Sequence, residues 1–369
     1  MAEEALASAR RGGATREEGR ALACLGAASG FLGDLNKGLA HLRHARRTAE
    51  DQTDVDGLGI ACGLLSDVNE SAGRLSDALA AALDGAEATG RLGSPRWSSR
   101  FQGTAANFAF RLGRWEEADR LFRVLLERRP LPPAVEAYAR LERARLDIAR
   151  GDVADMRRWL HEAEELARKA GRAYFDQMWG PMLAHAQAAF ALWEGSYVEA
   201  FQAASEGLAE KARAGDAAGW PELFALGMAA AAARAERALA HDATAEAEAA
   251  RRCGTALLAD LEEIVNGAVL ISPELAAVLM QCQAEGTRLY GRTDPALWAA
   301  VAARWDALSM PYSATYARFR EAEALLAGRA PHAQFEGVLR VAHAVAVRLG
   351  AAPLRRELER LAQRGRIRL

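Results

Sequence analysis

Cysteine occurs only at positions 24, 62, 253 and 282, never as a C-x-x-C pair. That scatter argues against a zinc site or a disulfide framework and fits small core residues in a reducing compartment. Aromatic residues make up 7% of the chain, and valine, isoleucine and threonine are too sparse to furnish a sheet core. No sign of charge dominates: 47 basic residues face 49 acidic ones, for a formal net charge of −2. There is thus no global pull toward nucleic acid or an anionic membrane, and a charged partner must be met locally. The longest apolar run, Phe224 to Ala233, ends at Arg234 and is too short to span a bilayer. The acidic start Met1-Ala2-Glu3-Glu4 is followed by no apolar segment of the signal-peptide kind, so the sequence predicts a soluble, cytoplasmic protein.

Catalytic signatures are missing as well. No G-x-x-x-x-G-K-[ST] loop can cradle a phosphate, and no G-x-S-x-G elbow or H-E-x-x-H helix occurs. Gly57-Leu58-Gly59-Ile60-Ala61-Cys62-Gly63 superficially resembles a dinucleotide loop, but its third glycine comes one residue late and no strand precedes it. His41 and His44 share a helix face, yet Arg43, Arg46 and Arg47 crowd that face with positive charge and no third ligand stands at the right spacing. The sequence therefore predicts a protein that is not an enzyme, with no metal and no cofactor.

What is present is alanine, leucine, arginine and glutamate, which favour helix throughout. At 369 residues the chain exceeds the usual size of one core, which favours an extended array. One phrase recurs: a helix end, a glycine, a tight-turn residue and a fresh helix, with the glycine at 33, 73, 113, 151 and 195. Glycine can close a helix in the left-handed conformation without a Cβ penalty. Counting from each glycine, the seventh residue before it is always small (Gly26, Ser66, Ala106, Ala144, Ala188). The fifth before (Ala28, Val68, Phe108, Leu146, Phe190) and the twelfth before (Ala21, Ala61, Phe101, Ala139, Leu183) are apolar. The fifth after is Gly38, Ala78, Ala118, Met156 and Ala200, and the ninth after is Leu42, Ala82, Phe122, Leu160 and Ala204. Such spacing is helical. It predicts an all-α chain of antiparallel hairpins with a period of about 40 residues.

These residues resemble the tetratricopeptide family, with a small residue midway in the first helix, the turn glycine, and an alanine five positions on. The long period is similar to that of the sensor arm of large ATP-binding LuxR-type transcriptional regulators. So is the closing stretch: Trp305-Asp306-Ala307-Leu308-Ser309-Met310-Pro311-Tyr312, then Ala317 to Leu326, then Leu349-Gly350-Ala351-Ala352-Pro353-Leu354 and a basic helix. The resemblance implies a right-handed superhelix, an array over residues 1–240, and C-terminal repeats over 241–369 ending before a linker. It also implies a regulatory arm whose ATPase and helix-turn-helix domains lie outside this chain. The arginines at 355, 356, 360, 364, 366 and 368 are then a solvated helix face running into that linker. Ala5, Leu6 and Ala9 before Gly12-Gly13 read as the second helix of a hairpin, so the chain is expected to begin and end within a larger protein.

In the resembled family, ligands touch first-helix positions about three, six, ten and thirteen residues before the turn glycine. Carried over, the sixth position gives Ala27, Asp67, Asn107, Arg145 and Ala189; the thirteenth gives Arg20, Arg100 and Tyr138; the tenth gives His185. The expected groove is thus polar at Asp67, Arg100, Asn107, Tyr138, Arg145 and His185, with Trp179 and Phe175 capping it at a loop-to-helix entry beside Pro181. Its partner would be a protein, a peptide or a small-molecule inducer, with no direct nucleic-acid or membrane contact, and a homo-oligomer is compatible with such an arm. A stand-alone helical scaffold for protein–protein interaction is the alternative.

Overall fold

The computed structural model describes residues 2–128, 130–170, 172–213 and 220–369. Every regular element among them is an α-helix. In chain order they are α1 (Ala2–Gly12), α2 (Thr15–Phe31), α3 (Leu35–Asp51), α4 (Val55–Ser71), α5 (Leu75–Arg91), α6 (Pro95–Arg111), α7 (Trp115–Glu127), α8 (Pro133–Arg150) and α9 (Val153–Ala170). There follow α10 (Arg172–Glu194), α11 (Tyr197–Arg213), α12 (Pro221–Ala240), α13 (Thr244–Gly267), α14 (Pro273–Leu289), α15 (Pro295–Ala307), α16 (Pro311–Ala327), α17 (His332–Leu349) and α18 (Ala352–Arg364). Within each unit most helices pack on their sequence neighbours, as α2 on α3, α5 on α6, α10 on α11 and α12 on α13, and α1 takes the place of a second helix against α2.

The unit of repetition is shorter than the hairpin. From α2 to α7 the helices begin at 15, 35, 55, 75, 95 and 115, so one helix and one three-residue turn recur every 20 residues. The turn is the same each time. Its middle residue takes positive φ, at Gly13, Gly33, Thr53, Gly73, Gly93 and Gly113, and the next backbone N–H reaches five residues back, as from Asp34 to the Ser29 carbonyl at 2.9 Å and from Asp54 to Ala49 at 2.8 Å. This 6→1 bond closes the helix with a Schellman cap. The donor of that bond is also the N-cap of the following helix: Asp34 accepts from the Lys37 N–H, Asp54 from Gly57 and Ser94 from Trp97. One residue thus ends one helix and starts the next. The same cap recurs beyond the strict period at Gly151, Gly195, Asp242, Gly291, Ser309, Arg329, Gly350 and Arg366.

Burial follows the register. The small residue seven before the glycine meets the residue five after it: a Cβ on Gly26 would stand 2.9 Å from the Gly38 carbonyl oxygen, and one repeat later Ser66 Oγ donates to the Ala78 carbonyl at 3.2 Å. Helix axes approach closely there, which is why bulk is excluded. The apolar positions are buried in the repeats of Gly73 and Gly113, and Leu160, Leu183 and Phe190 of the next two are half-buried, but Ala28 is exposed on α2, whose preceding neighbour is the short α1. Gly57 to Gly63 lie inside α4, not in a loop. A Cβ on Gly59 would fall 2.3 Å from Cδ2 of Trp97, whose indole N–H donates to Asp56 Oδ1 at 2.9 Å. The glycine makes room for that ring.

The chain divides into two compact units, one of residues 1–139 with 269–273 and one of 140–268 with 274–369. The boundary expected at residue 240 falls inside the second, between α12 and α13. Within the second unit, the turn after α8 meets the turn before α18, where a Cβ on Gly151 would lie 3.0 Å from Pro353 Cδ. The Trp193 indole of α10 also hydrogen-bonds the Tyr312 hydroxyl of α16. Both contacts join residues of this unit that lie far apart in sequence.

Candidate functional site

In the first unit, the predicted inner-wall residues meet mixed fates. Asp67 of α4 keeps solvent-accessible surface, yet it sits in a recess of protein that raises its carboxyl to about 6. Desolvation is the main cause, Glu70 adds repulsion, and the Arg100 guanidinium opposes both. Arg100 of α6 is exposed and lies 5.3 Å over the Trp97 ring. Arg20 forms an ion pair at 3.6 Å with Asp54, the N-cap of α4. Asn107, expected as a polar rung, is buried on α6. The Tyr138 ring packs over Gly103, where a Cβ would come within 3.2 Å of it. Only Asp67 and Arg100 remain as an accessible, electrostatically coupled pair.

In the second unit, Arg145 is buried. It donates to Glu142 Oε1 at 2.9 Å, approaches Glu222 at 3.7 Å, and lies 5.7 Å over the Trp220 ring. His185 stands 6.5 Å from that ring, and its Nδ1 is buried without a hydrogen bond. Burial and the Arg145 charge push its pKa well below the usual histidine range, so the imidazole is neutral. Trp179 is buried on α10, and Pro181 lies within that helix instead of at its entry. Proline costs about 3 kcal/mol inside a helix. Burying Met182 and Trp179 beside it is worth about 1.5–3 kcal/mol each, which outweighs that cost. The side chains of Tyr174 and Phe175 lie outside the described residues.

The strongest polar assembly was not read from the sequence. Arg288 of α14, only 2% exposed, donates its Nε and Nη2 to Glu236 of α12 at 3.0 and 2.5 Å, and Nη1 to Glu285. Tyr316 of α16 donates to the other Glu285 oxygen at 2.6 Å, Arg320 reaches the Tyr316 hydroxyl at 3.1 Å, and Arg320 also holds Glu323 at 2.6 Å. The signal was available. Counted back from the left-handed residues Asp242, Gly291 and Arg329, the sixth position is Glu236, Glu285 and Glu323, the third before Gly291 is Arg288, and the thirteenth before Arg329 is Tyr316. At two of these three turns the left-handed residue is not glycine, so the glycine register does not extend to them. The network consumes its own charges: each carboxylate it contains accepts from an arginine or a tyrosine.

An open cleft lies instead on the second-helix side of the first unit. It measures about 620 Å³, with α3 and α5 as walls and α4 as floor. Arg43, Arg46, Arg47 and Glu50 line the α3 wall; Arg74, Asp77, Ala80, Ala81 and Asp84 line the α5 wall; Cys62, Leu65 and Asn69 form the base. Arg46 bridges the walls, donating to Asp84 and, at 3.2 Å, to Glu50. Cys62 is buried and its thiol is pushed up to about 12, so it carries no reactive thiolate. Arg43 and Arg47 are exposed and have no ion pair among the described residues. In the sequence these two arginines appear only as the crowding around His41 and His44, since nothing in spacing shows that α3 and α5 leave a cleft between them.

Among the described residues no helix is long and apolar enough to cross a membrane, and no cluster of histidine, cysteine and carboxylate could hold a metal ion. No protein-family model matches the chain, and no curated protein does. Among solved structures it is similar to a circular tandem repeat protein with novel repeat topology and enhanced subunit contact surfaces, at 14% identity over 99% of this chain and 87% of that one, with a TM-score of 0.21. The chain itself is an all-α tandem helical repeat protein.

Proposed function

We propose that this protein is a binding scaffold, not a catalyst, and that it receives a helix or peptide of a partner protein in the cleft between α3 and α5. The observation that carries this reading is the cleft itself: about 620 Å³, within the range of binding sites, with unpaired Arg43 and Arg47 on one wall and Asp77 and Asp84 on the other. An amphipathic helix with acidic residues along one edge and basic residues along the other complements such walls. A labelled helical peptide of that design, titrated by fluorescence anisotropy, should bind, and Arg43→Glu with Arg47→Glu should weaken it at least about tenfold. Equal binding by the double variant, or by a peptide with acids on both edges, would refute the reading.

The regulatory arm of a LuxR-type regulator is the narrower form of this proposal. It is supported by the closing stretch, whose Trp305 is buried near the end of α15 and whose Ala314, Ala317, Phe319, Ala322 and Leu325 form the buried face of α16. Ligand occupancy would then bias an equilibrium between resting and active states. Genomic sequence continuing downstream into a helix-turn-helix supports that form, and stop codons at both ends of the chain refute it.

A further inference from the structure

The end of the chain carries the greatest local surplus of charge. From residue 340 to 369 there are eight arginines against Glu357 and Glu359, although the whole chain sums to −2. Both glutamates are already taken, by Arg360 and by Arg355 with His343. Arg348, Arg356, Arg364, Arg366 and Arg368 are exposed and have no acidic partner among the described residues.

These side chains are presented on a fixed surface. Gly365 sits against the Phe335 ring, where a Cβ would come within 2.1 Å, Ile367 is buried, and the Arg368 carbonyl accepts from Arg340 of α17 at 2.7 Å. The last residues are thereby held along the α17–α18 hairpin, with Arg366 and Arg368 pointing outward on either side of Ile367. On α18 itself, Arg356, Arg360 and Arg364 recur every fourth residue and so share one face. Their rise of about 6 Å per step sets three cations in one row along that face. That face offers no aromatic side chain to enter a bilayer.

We propose that the α17–α18 hairpin is a binding surface for the phosphate backbone of double-stranded nucleic acid, without base specificity. This goes beyond the scaffold reading and uses none of the cleft residues. It also departs from the expectation, drawn from the overall charge, that this chain makes no nucleic-acid contact.

The test is fluorescence anisotropy of the full chain with a labelled DNA duplex of mixed sequence, about 20 base pairs long, at rising salt. Binding should weaken with a log–log salt slope of about −3 to −4, as expected for release of the counterions of about four phosphates. Arg356→Glu, Arg364→Glu and Arg368→Glu together should weaken binding at least about tenfold at about 50 mM salt, with an unchanged helical circular dichroism spectrum. Arg43→Glu with Arg47→Glu, which empties the cleft of its free cations, should leave duplex binding unchanged. The proposal is overturned by no duplex binding at low salt, by equal binding of the hairpin triple variant, or by tighter binding to polyglutamate or to phosphatidylserine vesicles than to the duplex.

Discussion

Replacing glycine by alanine at two positions of the same helix should move stability in opposite directions. Gly59 and Gly63 both lie inside α4, where alanine is intrinsically favoured over glycine by about 1 kcal/mol. At Gly63 the nearest atom a Cβ would meet is Phe101 Cε1 at 3.9 Å, an ordinary contact, so Gly63→Ala should stabilise by about 1 kcal/mol. At Gly59 the Cβ would stand 2.3, 2.4 and 2.8 Å from three ring carbons of Trp97. The ring cannot retreat freely: it is 9% exposed, stacked on Phe101 at 5.9 Å, and tied to Asp56 by its N–H. Overpacking of this kind costs about 1–3 kcal/mol, and losing the indole hydrogen bond adds about 1 kcal/mol. After the propensity gain, Gly59→Ala should destabilise by about 1–3 kcal/mol. Urea unfolding followed by circular dichroism gives both values, and hydrogen exchange of the α4 amides checks that the loss is local, since repeat arrays need not unfold in one step. Adding Trp97→Ala should turn Gly59→Ala from destabilising to neutral or stabilising. If both glycine variants stabilise equally with Trp97 present, the packing of Trp97 on Gly59 is wrong.

Three further perturbations test other parts of the structure. Thr53 holds φ at +51° in the turn where Gly33, Gly73 and Gly93 stand elsewhere, and it is exposed, so Thr53→Gly should raise the urea midpoint by the equivalent of about 0.5–1 kcal/mol. Arg288→Met leaves the buried Glu285 carboxylate without its cation and should cost about 3–5 kcal/mol in unfolding measurements, whereas adding Glu285→Gln should recover part of that loss. Asp67 has its folded pKa raised to about 6 against about 3.9 unfolded, so the folded state holds this proton more tightly. Its contribution is fully present below pH about 4 and is lost as pH rises through about 6; Asp67→Asn should therefore be more stable than wild type at neutral pH and should close that gap in acid, as read from urea midpoints across the range.

The repeat was legible because a helix stop is a local event. The glycines at 33, 73, 113, 151 and 195 fixed a register whose small and apolar positions are buried in most repeats. The true period of 20 was hidden by Thr53, a residue that pays steric strain to do what glycine does freely at 13, 33, 73, 93 and 113. Asp242 and Arg329 hid the continuation of the polar positions in the same way, and with them the Glu236–Arg288–Glu285–Tyr316–Arg320 network.

Which polar residues meet a partner is not a local property. Arg145 and Asp67 occupy equivalent positions in the register, six residues before a turn glycine, yet one is buried among Glu142, Glu222 and Trp220 while the other keeps access to water. The difference lies in what faces each helix across the interior of its own unit, as Tyr312 faces Trp193 and Pro353 faces Gly151 in the second. Those pairs are about 120 and 200 residues apart in sequence, beyond the reach of any periodicity. Arg145 is thus an internal strut of its unit, whereas Arg100 stays exposed. On the second-helix side of the first unit, exposed Arg43 and Arg47 line the open cleft between α3 and α5.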